Sequence, residues 1–206
     1  MAGNFIDKHA MNNCWGTPEV LLNAVRSYFG GPIPLDPATS VDNPTKALQF
    51  YTEDDNGLIL PWNASGVFIN PPYSNAGVDV SDLQQIGRDL GLKRVPSFMS
   101  VWAAKIGAVA RSGVQIIALL PCGARFSTEY WQDHILIPEL RVMTVHRGRV
   151  SFRNMLTGEE KSGQNNYDSI IYGFNVDAER FTAAFRKFGS TFGMTFQRAS
   201  VLDGFI

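Results

Sequence analysis

The sequence predicts an α/β fold, with a mainly parallel twisted sheet and helices on both of its faces. Segments with strand character alternate along the chain with segments of helical periodicity, which is the order that a parallel sheet wrapped by helices produces. Residues 114–120 form a near-continuous apolar run, as expected for a strand covered on both faces. The chain has 206 residues, of which 45% are hydrophobic. This composition suffices for one domain with a buried core, and this length is too short for two full-sized domains.

Helices are predicted where apolar residues recur at helical spacing between residues that start or stop a helix. In the first of them Thr17 is a candidate N-cap, Pro18 suits the first helical position, and Gly30 ends the helix. The predicted helices span 18–29, 97–111, 126–135 and 177–188, with a possible short helix at 43–51.

Strands are predicted where short apolar or alternating runs end at turn residues. These runs are 33–35, 67–69, 114–120, 141–152 (one or two strands) and 168–176. The Asp-Asp-Asn-Gly sequence at 54–57 is typical of a turn. The segment 74–96 is predicted to be an irregular or partly helical excursion. It is a possible insertion within a single domain that spans 1–206.

The charge distribution is more informative than the net charge of −1, which argues against a strongly basic nucleic-acid binder without excluding one. Residues 1–80 have three Lys or Arg against eight Asp or Glu, whereas residues 81–206 have fifteen against eleven. The basic half can present a local field to a polyanion. With no secretory signal and no membrane-spanning run, we expect a soluble cytoplasmic protein. Cys14 and Cys122 are too far apart to indicate a disulfide framework or a zinc site.

The motif Asn70-Pro71-Pro72-Tyr73 directly follows the strand predicted at 67–69. Two consecutive prolines fix a rigid loop, because they can neither continue a sheet ladder nor enter a helix. In such a loop the Asn70 amide oxygen and the Pro71 carbonyl can accept both N–H groups of a planar amine, while Tyr73 stacks on its ring. Accepting both protons frees the nitrogen lone pair for attack. The alternative is a Pro-Pro turn in which Tyr73 only packs.

These residues resemble the S-adenosylmethionine-dependent amino-group methyltransferases, in particular the small DNA N6-adenine methyltransferases of bacteriophages and prophages. The resemblance covers roughly residues 15–175 and implies a Rossmann-like methyltransferase fold with S-adenosyl-L-methionine as cofactor. It rests on Asn70–Tyr73 and on further blocks in family order, at 15–18, 35–38, 51–58, 62, 119–121 and 148–152. The implied partner is DNA with a flipped target adenine. The expected protein is a monomer or weak homodimer, located in the bacterial host cytoplasm if it is phage-encoded.

The resemblance also implies residue roles. The catalytic residues are Asn70, Pro71, Pro72 and Tyr73. The cofactor-binding residues are Trp15, Thr17, Pro18, Asp36, Pro37, Ala38 and Asp55. The DNA-binding candidates follow from the charge distribution and not from the resemblance alone. They are Ser74, Arg125, Arg147 and Arg149, with Lys93, Arg94, Lys105 and Arg153 as further phosphate contacts and 74–96 as a target-recognition loop.

Two features depart from the family pattern. The segment 36–40 lacks the usual glycines, and Asp36 and Asn70 are only 34 positions apart, which is short for two βα units. The residue that binds the cofactor ribose stays open among Asp42, Glu53 and Asp54.

Three functions stay open. The first is site-specific DNA adenine methylation, for which protection against restriction is a role implied by the resemblance. The second is the same chemistry on cytosine N4, an RNA base or a protein glutamine, although Asn70 weighs against cytosine because those enzymes more often have serine there. The third is a catalytically inert methyltransferase-like protein that binds nucleic acid or a partner protein.

Overall fold

The computed structural model describes residues 15–73, 79–122, 124–154, 160–161 and 168–196. Their strands are Trp15–Gly16 (β1), Leu35–Asp36 (β2), Gln49–Phe50 (β3), Val67–Ile69 (β4), Ile116–Pro121 (β5), Leu140–His146 (β6), Phe152–Asn154 (β7), Glu160–Lys161 (β8), Ser169–Phe174 (β9) and Gly189–Gly193 (β10). Seven of them form one sheet in the order β10-β6-β9-β5-β4-β2-β3, and β1, β7 and β8 form a small antiparallel sheet.

Helices cover both faces of the large sheet, as predicted. They are Glu19–Phe29 (α1), Val80–Asp89 (α2), Phe98–Arg111 (α3), Glu129–His134 (α4) and Ala178–Phe185 (α5), with 3-10 turns at Ala124–Ser127 and Arg186–Phe188. Alternate residues of β5 point to opposite faces, so that Ile117 and Leu119 pack with α1 and α5, whereas Ile116 and Ala118 pack with α2, α3 and α4. No helix in the described part of the chain is long and apolar enough to cross a membrane.

The prediction of a mainly parallel sheet is wrong. The pairs β2–β3, β2–β4 and β4–β5 are parallel, but β5–β9, β6–β9 and β6–β10 are antiparallel. A continuous apolar run indicates that a strand is covered on both faces and carries no information about its direction. Every residue of β9 is buried, yet β9 is antiparallel to both of its neighbours.

The short helix predicted at 43–51 is also absent. Asn43 has a positive φ of 43°, and its side-chain amide accepts the N–H of Ala47 and donates to the Ala47 carbonyl. This side chain closes a turn in place of a helix, and the chain continues into β3. The remaining predicted helices and strands are present with shifted ends, and α2 lies inside the excursion predicted at 74–96.

The short spacing between Asp36 and Asn70 is explained by the connections around β3. Residues 37–48 and 51–66, all of them described, contain turns and no helix. The chain passes from β2 to β3 on one side and then returns past β2 to β4 on the other side. The order of the parallel strands therefore reverses between β2 and β4, and such switch points are where open α/β sheets bind ligands.

Candidate active site

Asp36 and Asn70 lie together at this switch point. Asp36 ends β2 and Asn70 directly follows β4, and the two strands are parallel neighbours with Leu35 opposite Val67. Carboxyl ends of parallel strands meet at one edge of a sheet, and the crevice outside that edge is the usual ligand site. The structure therefore brings together two of the loops that the sequence singled out.

The Asn70 side chain is held at both of its polar atoms. Its Nδ2 donates to the Thr17 hydroxyl oxygen at 3.2 Å, and its Oδ1 accepts from the Tyr73 hydroxyl at 3.1 Å. Pro71 is buried, whereas Asn70 and Tyr73 are partly exposed. The loop is rigid and its functional groups remain at the edge of the crevice.

Tyr73 keeps its hydroxyl proton. Burial raises the pKa of the Tyr73 hydroxyl far above its ordinary value, and the positive charge of Arg125 opposes that shift only partly. The interaction also locates Arg125, which lies in the 3-10 turn after β5, close to the motif. The Tyr73 hydroxyl is thus a lasting donor to Asn70.

Asp36 holds its own loop together. Its carboxylate is 2% exposed and accepts the N–H of Ala38 at 3.1 Å, with further hydrogen bonds to the Thr39 and Thr45 hydroxyls. Burial is the largest influence and raises the pKa of Asp36 to about 6 against these bonds. Because a carboxylate that is buried among neutral groups loses its hydration, its ionised form is costly here.

The raised pKa predicts that Asp36→Asn stabilises the protein increasingly as pH rises. The folded state binds this proton more tightly than the unfolded state, whose pKa is near 3.8, so stability falls as pH rises through about 6. The Asn side chain cannot ionise. The free energy of unfolding of the Asp36→Asn variant, relative to that of wild type, should therefore rise by about 1–1.5 kcal/mol from pH 5 to pH 8. Urea unfolding of both proteins at the two pH values measures this difference. A difference that is constant with pH would contradict it.

The turn after β3 packs on the Asp36 loop. Asp55 is exposed, and its carboxylate accepts the backbone N–H and the hydroxyl of Thr52, at 2.9 and 2.8 Å, which lowers its pKa. Two residues later, a Cβ at Gly57 would lie 1.9 Å from the Pro37 carbonyl oxygen. Sequence reasoning singled out Asp55 and missed Gly57, although Asn-Gly in that turn was a signal.

The N-terminal block lies beside the same loops. Trp15 and Gly16 pair with β7, opposite Asn154 and Arg153. Thr17 is not the N-cap that the sequence predicted, because Pro18 occupies that position and no side chain in the described residues caps α1. The first amides of α1 are therefore available to an anion.

Residues 6–188 match the family described as DNA N-6-adenine-methyltransferase (Dam). The chain belongs to this family. A relative with the name DNA N-6-adenine-methyltransferase, from Haemophilus phage HP1 (strain HP1c1), is 31% identical over 68 residues, which is 33% of this chain and 39% of the relative. The chain thus spans well under half the length of this relative, and the resemblance drawn from the motifs is confirmed at the level of the family.

Two further candidates of this family member, Arg147 and Arg149, lie at the same edge of the sheet. Arg147 follows β6 and is exposed, with its backbone N–H bonded to the Phe188 carbonyl at 2.7 Å. Arg149 is exposed, and its Nε lies 3.9 Å from the Asp168 carboxylate. Ser74 lies outside the described residues. Lys105 is buried and donates to the Leu60 carbonyl at 2.9 Å, which makes it unsuitable as a phosphate contact.

Acidic and basic groups lie on opposite sides of Asn70. Asp36 and Asp55 belong to the loops after β2 and β3, on one side of β4 in the sheet. Arg125 and Arg147 belong to the loops after β5 and β6, on the other side. The motif therefore stands between a carboxylate-bearing half of the crevice and a half that favours a polyanion.

Proposed function

We propose that the protein is an S-adenosylmethionine-dependent methyltransferase that methylates N6 of a flipped adenine in DNA. The observation that carries this proposal is the position of Asn70–Tyr73 at the switch point between β2 and β4 in a chain of this family. We further propose that the described sheet is a variant of the Rossmann-like methyltransferase fold, in one domain over 1–206.

The catalytic loop activates the amine through two acceptors. The exocyclic N–H groups of adenine donate to Asn70 Oδ1 and to the Pro71 carbonyl, which draws the nitrogen toward tetrahedral geometry and frees its lone pair. When bound, S-adenosylmethionine would supply a methyl group from a positively charged sulfur, and a neutral thioether would be its product. Pro72 fixes the loop and the Tyr73 ring stacks on the base, an interaction of about 1–3 kcal/mol. After transfer the surplus proton on the nitrogen passes to water.

The cofactor fits the acidic side of the crevice. The free amides at the start of α1 suit the carboxylate of an amino acid, beside Trp15, Thr17 and Pro18. We propose that Asp36, Pro37 and Ala38 line the cofactor with the turn of Asp55. Gly57 supports this fit, because its missing side chain lets the turn lie against Pro37 and keeps the two loops in contact.

DNA fits the basic side of the crevice. We propose phosphate contacts by Arg125, Arg147 and Arg149, with Ser74 as a further contact and 74–96 as the target-recognition segment. Arg125 combines two properties that a flipped nucleotide needs, since it is close to Tyr73 and carries a charge for the phosphate. An adenine inside a duplex cannot reach the motif, so it must be rotated out or be unpaired.

Arg147→Gln is expected to weaken DNA binding. The negative slope of log affinity against log salt concentration should become less steep by about one. Arg141→Gln is the matched control, because Arg141 is an exposed arginine near the start of β6, whereas Arg147 follows the end of that strand. Fluorescence anisotropy of a labelled duplex at several salt concentrations measures both slopes. Equal slopes for the two variants would show that Arg147 does not contact a DNA phosphate.

The proposed function is tested by transfer of a labelled methyl group from S-adenosylmethionine to unmethylated DNA, followed by nucleoside mass spectrometry. N6-methyladenine is the expected product. N4-methylcytosine, or labelling of RNA or of a protein glutamine in place of DNA, would assign the same loop another substrate. Absence of transfer together with absence of cofactor binding by calorimetry would indicate a catalytically inert binding protein.

A further inference from the structure

Thr17 has a hydroxyl group that its neighbouring helix does not use. Pro18 occupies the N-cap position of α1, and no side-chain hydrogen bond from the described residues caps that helix. The Thr17 hydroxyl oxygen instead accepts the Nδ2–H of Asn70, which is 53 positions away in sequence. This hydroxyl therefore serves the catalytic loop.

The Thr17 backbone is fixed from both sides. Trp15 and Gly16 are paired with β7, and a residue that precedes proline is restricted to extended conformations. Threonine is branched at Cβ, which restricts its first side-chain torsion. The hydroxyl is presented to Asn70 from a rigid frame.

The Asn70 amide needs such a partner because its two ends have opposite polarity. In the proposed reaction Oδ1 must accept a proton from the target amine, whereas a flipped amide would set N–H against N–H. Oδ1 already accepts the Tyr73 hydroxyl in this structure, and its second lone pair is left for an entering amine. The bond to Thr17 is the one that holds the Nδ2 end of the amide, and it thereby fixes which end faces the amine.

We infer that Thr17 is a positioning residue, whose hydroxyl anchors Asn70 Nδ2 and thereby keeps Asn70 Oδ1 turned toward the target amine. This inference rests on the proposed function and goes beyond it, because the family resemblance assigns Thr17 to the cofactor. It requires that loss of the hydroxyl affects the rate of methyl transfer more than the affinity for either substrate.

The test compares Thr17→Val, which removes the hydroxyl at nearly constant shape, with Thr17→Ser, which retains it. Thr17→Val should lower kcat about tenfold, the effect of one neutral hydrogen bond, with an unchanged Kd for S-adenosylmethionine. Thr17→Ser should recover most of that rate. Thr182→Val is the matched control, because it removes a threonine hydroxyl that donates to the Ala178 carbonyl within α5, and its kcat should equal that of wild type.

Two kinetic outcomes would overturn the inference. An unchanged kcat with weaker cofactor binding in Thr17→Val would place Thr17 in the cofactor site alone. A Thr17→Ser variant as slow as Thr17→Val would show that the hydroxyl is not the group that matters.

A readout without catalysis separates this inference from the proposed function. In protein labelled with 15N-asparagine, the Asn70 side-chain resonance is the one lost in Asn70→Ala. It should shift in Thr17→Val and remain near its wild-type position in Thr17→Ser. An active wild type without this shift would overturn the inference alone. An inactive wild type with the shift would overturn the proposed function, and Thr17 would then be a structural partner of Asn70.

Discussion

Replacing Asn70 with alanine should lower the rate of methyl transfer by about 10²–10³-fold, the usual cost of losing one preorganised polar group at a reacting centre. The variant loses the oxygen that is expected to accept the amine proton and also releases Tyr73 and Thr17 from their hydrogen bonds. S-adenosylmethionine affinity should change little, because the proposed cofactor contacts belong to β1, to the end of β2 and to the loops after β1, β2 and β3. Single-turnover transfer to DNA and calorimetry with the cofactor measure the two effects separately.

Asn63→Ala is the matched control for this experiment. Asn63 is exposed and precedes β4, near the opposite edge of the sheet from Asn70. Its removal should leave both transfer and cofactor binding at wild-type values. An Asn70→Ala variant that transfers methyl groups as fast as Asn63→Ala would refute the assigned role.

The local geometry of the site could be predicted from sequence because consecutive residues dictate it. The strand at 67–69 and the two prolines behind it place Asn70 in a rigid loop after a buried strand, and the structure has that arrangement. Asp36 likewise ends a short apolar strand. These loops meet at one edge because neighbouring parallel strands have their carboxyl ends on the same side of the sheet.

The contacts between the loops could not be predicted, because they join residues that are distant in sequence. The hydroxyl of Thr17 looks like a helix cap when only its neighbours are considered, yet it bonds to Asn70. The approach of Gly57 to Pro37 is a second contact of this kind. No local periodicity encodes either of them.

Strand direction was the other feature beyond reach. The prediction that the strand at 114–120 is covered on both faces is confirmed, since every residue of β5 is buried, and every residue of its neighbour β9 is buried as well. The direction of β9 depends on the connection from β6, which the pattern of apolar residues does not describe. The basic loops after β5 and β6 still lie at the same edge of the sheet as Asn70. Both β5 and β6 are antiparallel to β9, which lies between them, so they run in the same direction.

Gly57→Ala is expected to cause a large loss of stability. The added Cβ would lie 1.9 Å from the Pro37 carbonyl oxygen and 2.9 Å from the carbonyl carbon, and neither is a flexible side-chain end. The turn cannot simply retreat, because the Gly57 carbonyl accepts the indole N–H of Trp62 at 2.8 Å. Overpacking typically costs about 1–3 kcal/mol, and a collision with backbone should reach about 3 kcal/mol of unfolding free energy.

The displacement should also reach the site, because Pro37 directly follows Asp36. Cofactor affinity is therefore expected to fall together with stability in Gly57→Ala, whereas Asn70→Ala lowers the rate alone. Gly31→Ala is the matched control, since a Cβ there meets nothing within 4 Å, and its effect should be neutral or slightly stabilising. Urea unfolding and calorimetry of the two glycine variants measure both quantities. If Gly57→Ala proved as stable as Gly31→Ala and bound S-adenosylmethionine equally well, the close packing of these two loops would not be what shapes the crevice.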